Sequence, residues 1–215
     1  MTSKQGSNAK TAPLDGITIL DLTIFQNGPW ATVMLSDMGA SVIKIENPAG
    51  GDPGRRTVLS PVPRPINSYF ETMNRNKRSL SLNLKCQEGR EVFYRMVEHA
   101  DVVTQNFRLG VVEKLKVDYE TVRKINPRIV YASVSGLGPK GPHARDGIFD
   151  PLGQARGGFM WLNSVGLGDL AHIVGGGLSD QTGAMTLAWG VAMGLLARER
   201  CGVVRISTRL SWGAC

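Results

Sequence analysis

The stretch Val174 to Gly190, VGGGLSDQTGAMTLAWG, places one carboxylate between a run of glycines and an apolar helical segment. Asp180 follows Ser179 at or near the predicted N-cap, where side-chain oxygens commonly accept hydrogen bonds from free backbone amides. The same position stabilises an ionised carboxylate, and the glycines allow backbone and substrate to approach closely. An ionised carboxylate in a cleft can attack an activated carbonyl and form an acyl intermediate. Asp180 is therefore either a helix cap or a nucleophile.

Two neighbouring amides, Gln26 and Asn27, come directly after the first predicted strand. They are either solvated loop residues or residues of a site, since loops carry both. At the carboxyl end of a strand, the Gln26 amide could donate to a developing oxyanion. Asp150 and Gln154 lie four residues apart on one face of a predicted helix, and this pattern favours a cap and an exposed amide over cleft residues.

Cysteine and histidine residues show no metal-ligand spacing. Cys86, Cys201 and Cys215 also have no even pairing, so neither a zinc site nor a disulfide framework is indicated. His143 and His172 lie in glycine-rich loops without a partner at triad spacing, and we expect both to be solvated. We therefore expect no metal, and a reducing, cytoplasmic environment.

Composition and charge narrow the class of protein. A chain of 215 residues with 42% hydrophobic and 20% charged residues can bury the core of one large domain or two small ones. The net charge of +7 favours an anionic partner. Because the basic residues are spread along the chain without an aromatic repeat, we expect a small polyanionic ligand and no nucleic acid.

The polar first residues and the longest apolar segment predict a globular protein with an N-terminal tail. Residues 1–12 are polar and lack the apolar core of a signal peptide, so we expect a disordered tail followed by one domain over residues 13–215. The apolar segment 183–197 is short and rich in small residues. It is better explained as a buried helix than as a membrane span.

Strand-length apolar runs alternate with amphipathic helical segments. The first strand (17–22), a helix with Pro29 in its first turn and the second strand (40–46) form a β-α-β unit, which implies parallel strands. Further strands are predicted over 79–84, 101–107 and 128–136, and further helices over 68–75, over 87–99 and from Asp118 to just before Pro127. The predicted fold class is α/β, with a doubly wound, mainly parallel, Rossmann-like sheet that is covered on both faces.

Ligands of such sheets bind beyond the carboxyl ends of the strands. The polar loops FQNGP, NFRLG and SGLGPKGPHARDG follow three of the predicted strands and should converge on one crevice. Neither GxGxxG after the first strand nor GxxxxGK[ST] is present, so any phosphates are bound in another way.

With these segments assembled, the chain resembles the class III CoA-transferases, which include formyl-CoA and carnitine CoA-transferases and the related 2-methylacyl-CoA racemases. The resemblance runs in family order from Pro13 to about Arg200. It is carried by PLDGITILDLT, QNGPWATVMLSDMGASVIKIENPAGGD, NRNKRSLSLNLK, EGREVFYRMVEHADVVTQNF, INPRIVYASVSGLG, FDPLGQARGG and GLSDQTGAM.

The resemblance implies that Asp180 is the nucleophile and that Gln26 stabilises oxyanionic intermediates. The carboxylate would attack an acyl-CoA thioester to give a mixed anhydride, then become an aspartyl-CoA thioester, from which a carboxylic acid takes the CoA. The resemblance also implies coenzyme A as a substrate, with the basic members of the set as phosphate partners. The implied CoA contacts are Gln26, Asn27, Leu82, Asn83, Leu84, Lys85, Asn106, Phe107, Arg108, Lys114, Ile148, Phe149 and Asp150.

Two positions depart from the family pattern. The racemases have a histidine immediately before the aspartate of the motif that FD matches here, whereas this chain has Phe149, which cannot shuttle a proton. A racemase is therefore disfavoured. A basic family residue two positions earlier is matched by Gly147, which predicts that one contact with CoA is missing.

The resemblance fades after Arg200, and relatives of this family are about twice as long. They add a second domain, and their two chains interlock. The chain is thus expected to form an incomplete large domain, either of a homodimeric CoA-transferase or of a truncated protein that binds CoA without catalysis.

Overall fold

A computed structural model describes residues 12–57, 66–166, 168, 171–202 and 207–211. Within these residues, six strands form one sheet in the order β3-β2-β1-β4-β5-β6, and every neighbouring pair is parallel. This order reverses between β1 and β4, as in doubly wound α/β folds, so the predicted fold class is confirmed. The strands are β1 (Thr18–Asp21), β2 (Ser41–Glu46), β3 (Arg78–Ser81), β4 (Val102–Gln105), β5 (Val130–Ser135) and β6 (Ser207–Ser211).

Helices connect the strands and cover the sheet. A short 3₁₀ helix, Pro53–Arg56, follows β2. Pro29 lies in the first turn of the first helix and Asp118 caps the fifth, both as predicted. The helices are α1 (Asn27–Asp37), α2 (Ser68–Asn74), α3 (Gln87–Val97), α4 (Val111–Leu115), α5 (Tyr119–Ile125), α6 (Asp150–Arg156), α7 (Phe159–Leu162) and α8 (Leu178–Cys201).

Apolar side chains on both faces of the sheet are buried. Ile19 of β1 belongs to a core shared with α1 and α8, and its neighbour Leu20 belongs to a core shared with α3 and α5. The change of face follows from the two-residue period of a strand. The uniformly apolar strands therefore reflect a sheet with helices on both sides, as predicted.

The third strand is shorter than predicted. β3 ends at Ser81 instead of residue 84, because the Asn83 side chain accepts a hydrogen bond from the backbone of Lys85 at 3.1 Å and turns the chain out of the sheet. Residues 82–85 consequently form a loop at the carboxyl edge of the sheet.

Helix α8 was expected to be buried, and the structure buries one of its faces and exposes the other. Leu187 and Val191 are fully buried, whereas Met185 and Trp189 are 62% and 64% exposed. In the part of the chain that the structure describes, no helix has the length and apolarity to cross a membrane.

The termini lie mostly outside the described residues. The predicted tail is described only at Ala12, whose backbone amide donates to Asp15. Cys86 and Cys201 are free thiols, and Cys215 lies outside the described residues.

Candidate active site

A cavity of about 340 Å³ lies at the carboxyl ends of β1, β4 and β5. The three loops expected to converge do so here, on either side of the point where the strand order reverses. The start of α8 forms another wall. The lining residues from the predicted set are Gln26, Asn27, Asn106, Phe107, Arg108, Ile148, Phe149, Asp150 and Asp180.

The loop after β1 is fixed from below by a buried ion pair. Lys44 Nζ lies 2.8 Å from Asp52 Oδ2 and donates to the backbone oxygen of Thr23 at 2.7 Å. Asp52 Oδ1 accepts from the backbone amide of Phe25 at 3.0 Å, where the chain has a positive φ of 64°. These bonds stabilise Phe25 in the left-handed backbone conformation, which is unfavourable for residues other than glycine. The resulting turn directs Gln26 toward α8.

Gln26 and Asn27 both contact the segment that carries Asp180. Gln26 Nε2 donates to the backbone oxygen of Gly176 at 2.9 Å, and Asn27 Nδ2 donates to that of Asp180 at 3.0 Å. Gly177 has a positive φ of 79°, and a Cβ atom there would lie 2.2 Å from Gln26 Nε2, so glycine permits this position of Gln26. The glycines before the helix therefore permit the close approach that the sequence suggested, although the approaching group is Gln26.

Asp180 lies in the first turn of α8 and faces the cavity. Among the described residues its carboxylate accepts no hydrogen bond and forms no ion pair. Burial, with a further contribution from the Asp150 carboxylate, raises the pKa of Asp180 to about 6.

The N-cap residue of α8 is Gly177, which has no side chain, and the Asp150 carboxylate caps the helix in its place, whereas neither Asp180 nor Ser179 does. Asp150 Oδ1 accepts from the backbone amides of Ser179 at 2.7 Å and Asp180 at 3.1 Å. Of the two roles that the sequence left open for Asp180, the structure thus excludes the helix cap. The amides of Ser179 and Asp180 donate to Asp150 and not to the Asp180 carboxylate.

Gln154 is fully buried, which contradicts the expected exposed amide. Its Nε2 donates to Asp150 Oδ2 at 2.6 Å and to the Val174 oxygen at 2.8 Å, and its Oε1 accepts from the Val174 amide at 2.8 Å. A buried amide with all these bonds joins α6 to the chain before α8.

The loop 82–85 lines a second, smaller cavity of about 150 Å³ together with Lys44 and Asp52. Ile24 and Phe107 line both cavities, which are therefore adjacent. The predicted CoA contacts fall into two groups, and those at the second cavity are Leu82, Asn83, Leu84, Lys85 and Phe107.

Lys114 lies apart from the other predicted contacts. It is exposed on α4 and lines neither cavity. At Gly147, by contrast, an added Cβ atom would lie 2.4 Å from Arg108 Nη2. The side chain of Arg108 therefore occupies the space over this glycine, at the position where the family has a basic residue.

Tyr69 is a residue near the site that the sequence did not single out. It is half-buried on α2, and burial together with the carboxylates of Asp180 and Asp52 raises its pKa above the usual range. No pattern in the sequence marks this tyrosine, because α2 reaches Asp180 only through the tertiary fold.

Phe149 is 64% exposed and contacts Phe25 edge-to-face at a ring separation of 5.8 Å. His143 lies on the surface with Nδ1 2.8 Å from Asp146 Oδ2, and His172 is exposed. Within the described ranges, no three side chains of the metal-ligating types cluster.

Comparison with known proteins finds a model of CoA-transferase family III that matches residues 14–207. Acetyl-CoA:oxalate CoA-transferase from Acetobacter aceti is 43% identical over 190 residues, which are 88% of this chain and 48% of that protein. Succinyl-CoA:mesaconate CoA-transferase from Haloarcula marismortui is 42% identical over 196 residues, 88% of this chain and 49% of that protein. The chain spans about half the length of the curated relatives that it matches.

Solved structures agree with the sequence comparison. Rv3272 from M. tuberculosis has a TM-score of 0.85 at 34% identity, covering 94% of this chain and 55% of that one. A CAIB/BAIF family protein from Brucella suis has a TM-score of 0.82 at 34% identity, covering 90% and 52%.

Proposed function

The chain belongs to CoA-transferase family III, and from this premise we propose that it carries the nucleophile and the CoA site of an enzyme that moves CoA from an acyl-CoA to a carboxylic acid. The observation that carries the proposal is the Asp180 carboxylate, which faces the cavity without a hydrogen bond or ion pair to the described residues. With a pKa of about 6 it is mostly ionised at pH 7 and available as a nucleophile.

The proposed reaction neither consumes nor releases a proton, because each attacking and leaving group is a carboxylate or a thiolate. An Asp180 oxygen attacks the thioester carbonyl, the C–S bond breaks, and CoA leaves as a thiolate with a mixed anhydride on Asp180. The thiolate then attacks the Asp180 carbonyl carbon and releases the donor as a carboxylate. The acceptor carboxylate then attacks the carbonyl of the aspartyl-CoA thioester, which releases the CoA thiolate and leaves an anhydride between Asp180 and the acceptor. The thiolate attacks the acceptor carbonyl of this anhydride, which forms the new acyl-CoA and restores the Asp180 carboxylate.

Gln26 is proposed as the donor to the oxyanions of these steps. Its NH₂ group has two N–H donors, and one of them donates to the Gly176 oxygen, so the other can donate to the oxyanion. Gln181 Nε2 donates to the same Gly176 oxygen at 2.8 Å and helps to fix this turn beside Gln26.

CoA is proposed to extend across both cavities, which share Ile24 and Phe107. Arg108 at the first cavity and Lys85 at the second are exposed cations that can pair with its phosphates. Lys114 is a weaker candidate for this role, because it lines neither cavity.

A racemase is disfavoured by the residue before Asp150. Phe149 has a hydrocarbon side chain and cannot accept or return the proton at the α-carbon. We expect no exchange of solvent deuterium into 2-methylacyl-CoA.

The proposed nucleophile is tested by hydroxylamine trapping. Incubation with an acyl-CoA and hydroxylamine should convert Asp180 to a hydroxamate, detected by mass spectrometry of the peptide, because hydroxylamine cleaves both an anhydride and a thioester. The donors to test first are those named for the relatives, acetyl-CoA and succinyl-CoA, with oxalate and mesaconate as acceptors.

Asp180→Ala should abolish trapping, while Asp146→Asn, at an exposed carboxylate of the same cavity, should leave it intact. Trapping that persists without Asp180 would refute this nucleophile. CoA binding without any hydroxamate in the wild type would instead indicate a protein that binds CoA without transferring it.

A further inference from the structure

Every hydrogen-bonding oxygen of Asp150 is engaged, and most of its partners are at the start of α8. Oδ1 accepts from the amides of Ser179 and Asp180 and from Ser179 Oγ at 2.8 Å, while Oδ2 accepts from Gln154. The backbone oxygen of Asp150 also accepts from Ser179 Oγ at 2.9 Å. The contacts with α8 join residues about 30 positions apart, and together with Gln154 they occupy both carboxylate oxygens of Asp150.

The close contact between α6 and α8 depends on small side chains. A Cβ atom at Gly153 would lie 2.4 Å from Ser179 Oγ, so glycine at this position lets the first turns of the two helices touch. Asp150 therefore reaches the backbone amides of α8 from the side, in the position that a capping residue of α8 would normally occupy.

The consequence concerns Asp180. Early in a helix, a carboxylate ordinarily satisfies itself with nearby amides. Here the amides of residues 179 and 180 are already taken, and that of Gln181 donates to the backbone oxygen of Gly177. These three amides are thus not available to the Asp180 carboxylate, which has no hydrogen bond to the described residues and lies at the cavity.

We propose that Asp150 is a positioning residue for Asp180: it takes two amide donors at the start of α8 and thereby helps to keep the Asp180 carboxylate free. This inference rests on the proposed role of Asp180 as nucleophile. Asp150 also places a negative charge beside Asp180. This charge makes the Asp180 carboxylate more basic and hence a stronger nucleophile.

Other groups face Asp180 from the elements around it. Tyr69 lies on the α2 side and stays neutral at physiological pH, since its pKa is raised. Three charged residues line the same cavity from the loops after β4 and β5, and they are Arg108, Arg145 and Asp146. All three are exposed, so solvent weakens their effect relative to that of Asp150.

The test is a carbon-13 NMR titration of the Asp180 carboxyl group in the full chain. Asp150→Asn keeps an oxygen for the amides of α8 and removes the charge. We expect the titration midpoint of Asp180 to fall by about half to one pH unit. Asp146→Asn, the matched removal of an exposed charge at the same cavity, should leave the midpoint unchanged. An unchanged midpoint in Asp150→Asn would overturn the proposal.

Amide hydrogen exchange gives a second readout. In the wild type, the amides of Ser179 and Asp180 should be protected, and Asp150→Ala should remove this protection while the middle of α8 keeps its own. Rapid exchange of both amides in the wild type would refute the capping contact even if a variant failed to fold.

Neither measurement needs turnover, so the outcome is separate from that of trapping. Absence of a hydroxamate would refute the nucleophile and leave the capping contact standing. Where trapping succeeds, the acidic limb of its pH profile should move to lower pH in Asp150→Asn, which a purely structural cap would not cause.

Discussion

Asp180 has the residue type and the sequence position of a helix cap, yet it does not cap its helix. Its place in the first turn of α8 fits both roles. The structure separates them, because Asp150 caps the helix and Asp180 faces the cavity. A half-buried carboxylate without hydrogen-bond partners is costly to ionise, and this burial, with the nearby Asp150 charge, is the physical cause of its raised pKa.

That cost predicts a stability gain when the charge is removed. Because the folded chain binds the Asp180 proton more tightly than the unfolded chain, the free energy of unfolding falls as pH rises from about 4 to about 6. Asp180→Asn should avoid this loss and be more stable than the wild type at pH 7 by about 1–2 kcal/mol, allowing for partial exposure. Urea unfolding at pH 4 and pH 7 measures the difference, which should be small at pH 4.

Asp146→Asn is the control for this comparison, since its side chain is 56% exposed and its change of charge should have little effect. Equal stability of Asp180→Asn and the wild type at pH 7 would show that ionisation of Asp180 does not destabilise the folded chain.

At the scale of elements, a buried network joins β1, α1 and the turn before β3 beneath the cavity. Lys77 Nζ donates to Asp21 Oδ2 at 3.0 Å, to the Pro29 oxygen at 2.9 Å and to Asn74 Oδ1 at 3.0 Å. Burial opposes the ionisation of Asp21, but the nearby ammonium groups of Lys77 and Lys44 outweigh it and lower its pKa. The start of α1, and with it Gln26, is therefore held by a lysine about fifty residues away.

Removing that lysine should be strongly destabilising. Lys77→Met leaves the buried Asp21 charge without the ammonium group that contacts it, and we expect the free energy of unfolding to fall by about 3–5 kcal/mol. Lys85→Met, on an exposed side chain of the loop after β3, should change it by less than about 0.5 kcal/mol. Chemical denaturation compares the two.

Asp21→Asn combined with Lys77→Met should recover part of the loss, because the buried charge is then gone. A mild effect of Lys77→Met alone would contradict the inferred role of this pair.

At the scale of the whole molecule, one face of α8 exposes an apolar stripe along its length. Its members recur at helical spacing on the side away from the sheet, and they are Met185, Trp189, Met193 and Leu196, between 37% and 64% exposed. A contiguous apolar patch of this kind is typical of a protein–protein interface. If the homodimer expected from the resemblance buries this stripe, polar substitutions on it should weaken the association.

The double substitution Met185→Gln and Trp189→Gln should reduce this association, because it replaces the two most exposed side chains of the stripe with polar ones. Light scattering should then give the mass of a monomer where the wild type gives a larger species. Met38→Gln, which changes an exposed apolar residue at the end of α1, should leave the mass unchanged. A monomeric wild type would refute the association.

The sequence determined the fold class and the place where the polar loops meet, which is the cavity of the candidate site. Apolar strands alternating with helices require a parallel sheet with two covered faces, and the polar loops after those strands must then meet at one edge. Local signals of this type depend on residues a few positions apart, which is why the cap at Asp118 and Pro29 in the first turn of α1 could be predicted.

Only the tertiary structure decided what each polar group in the site does. The carboxylate of Asp150 and the amides that it caps are about 30 residues apart, and Lys77 and Asp21 are 56 apart. Gln154 was expected at the surface and is buried, because its partners come from the chain before α8. Such pairings depend on how helices pack across a sheet, and no local pattern encodes them. For that reason the sequence could place Asp180 at a helix start, whereas only the fold showed that another carboxylate already occupies the cap.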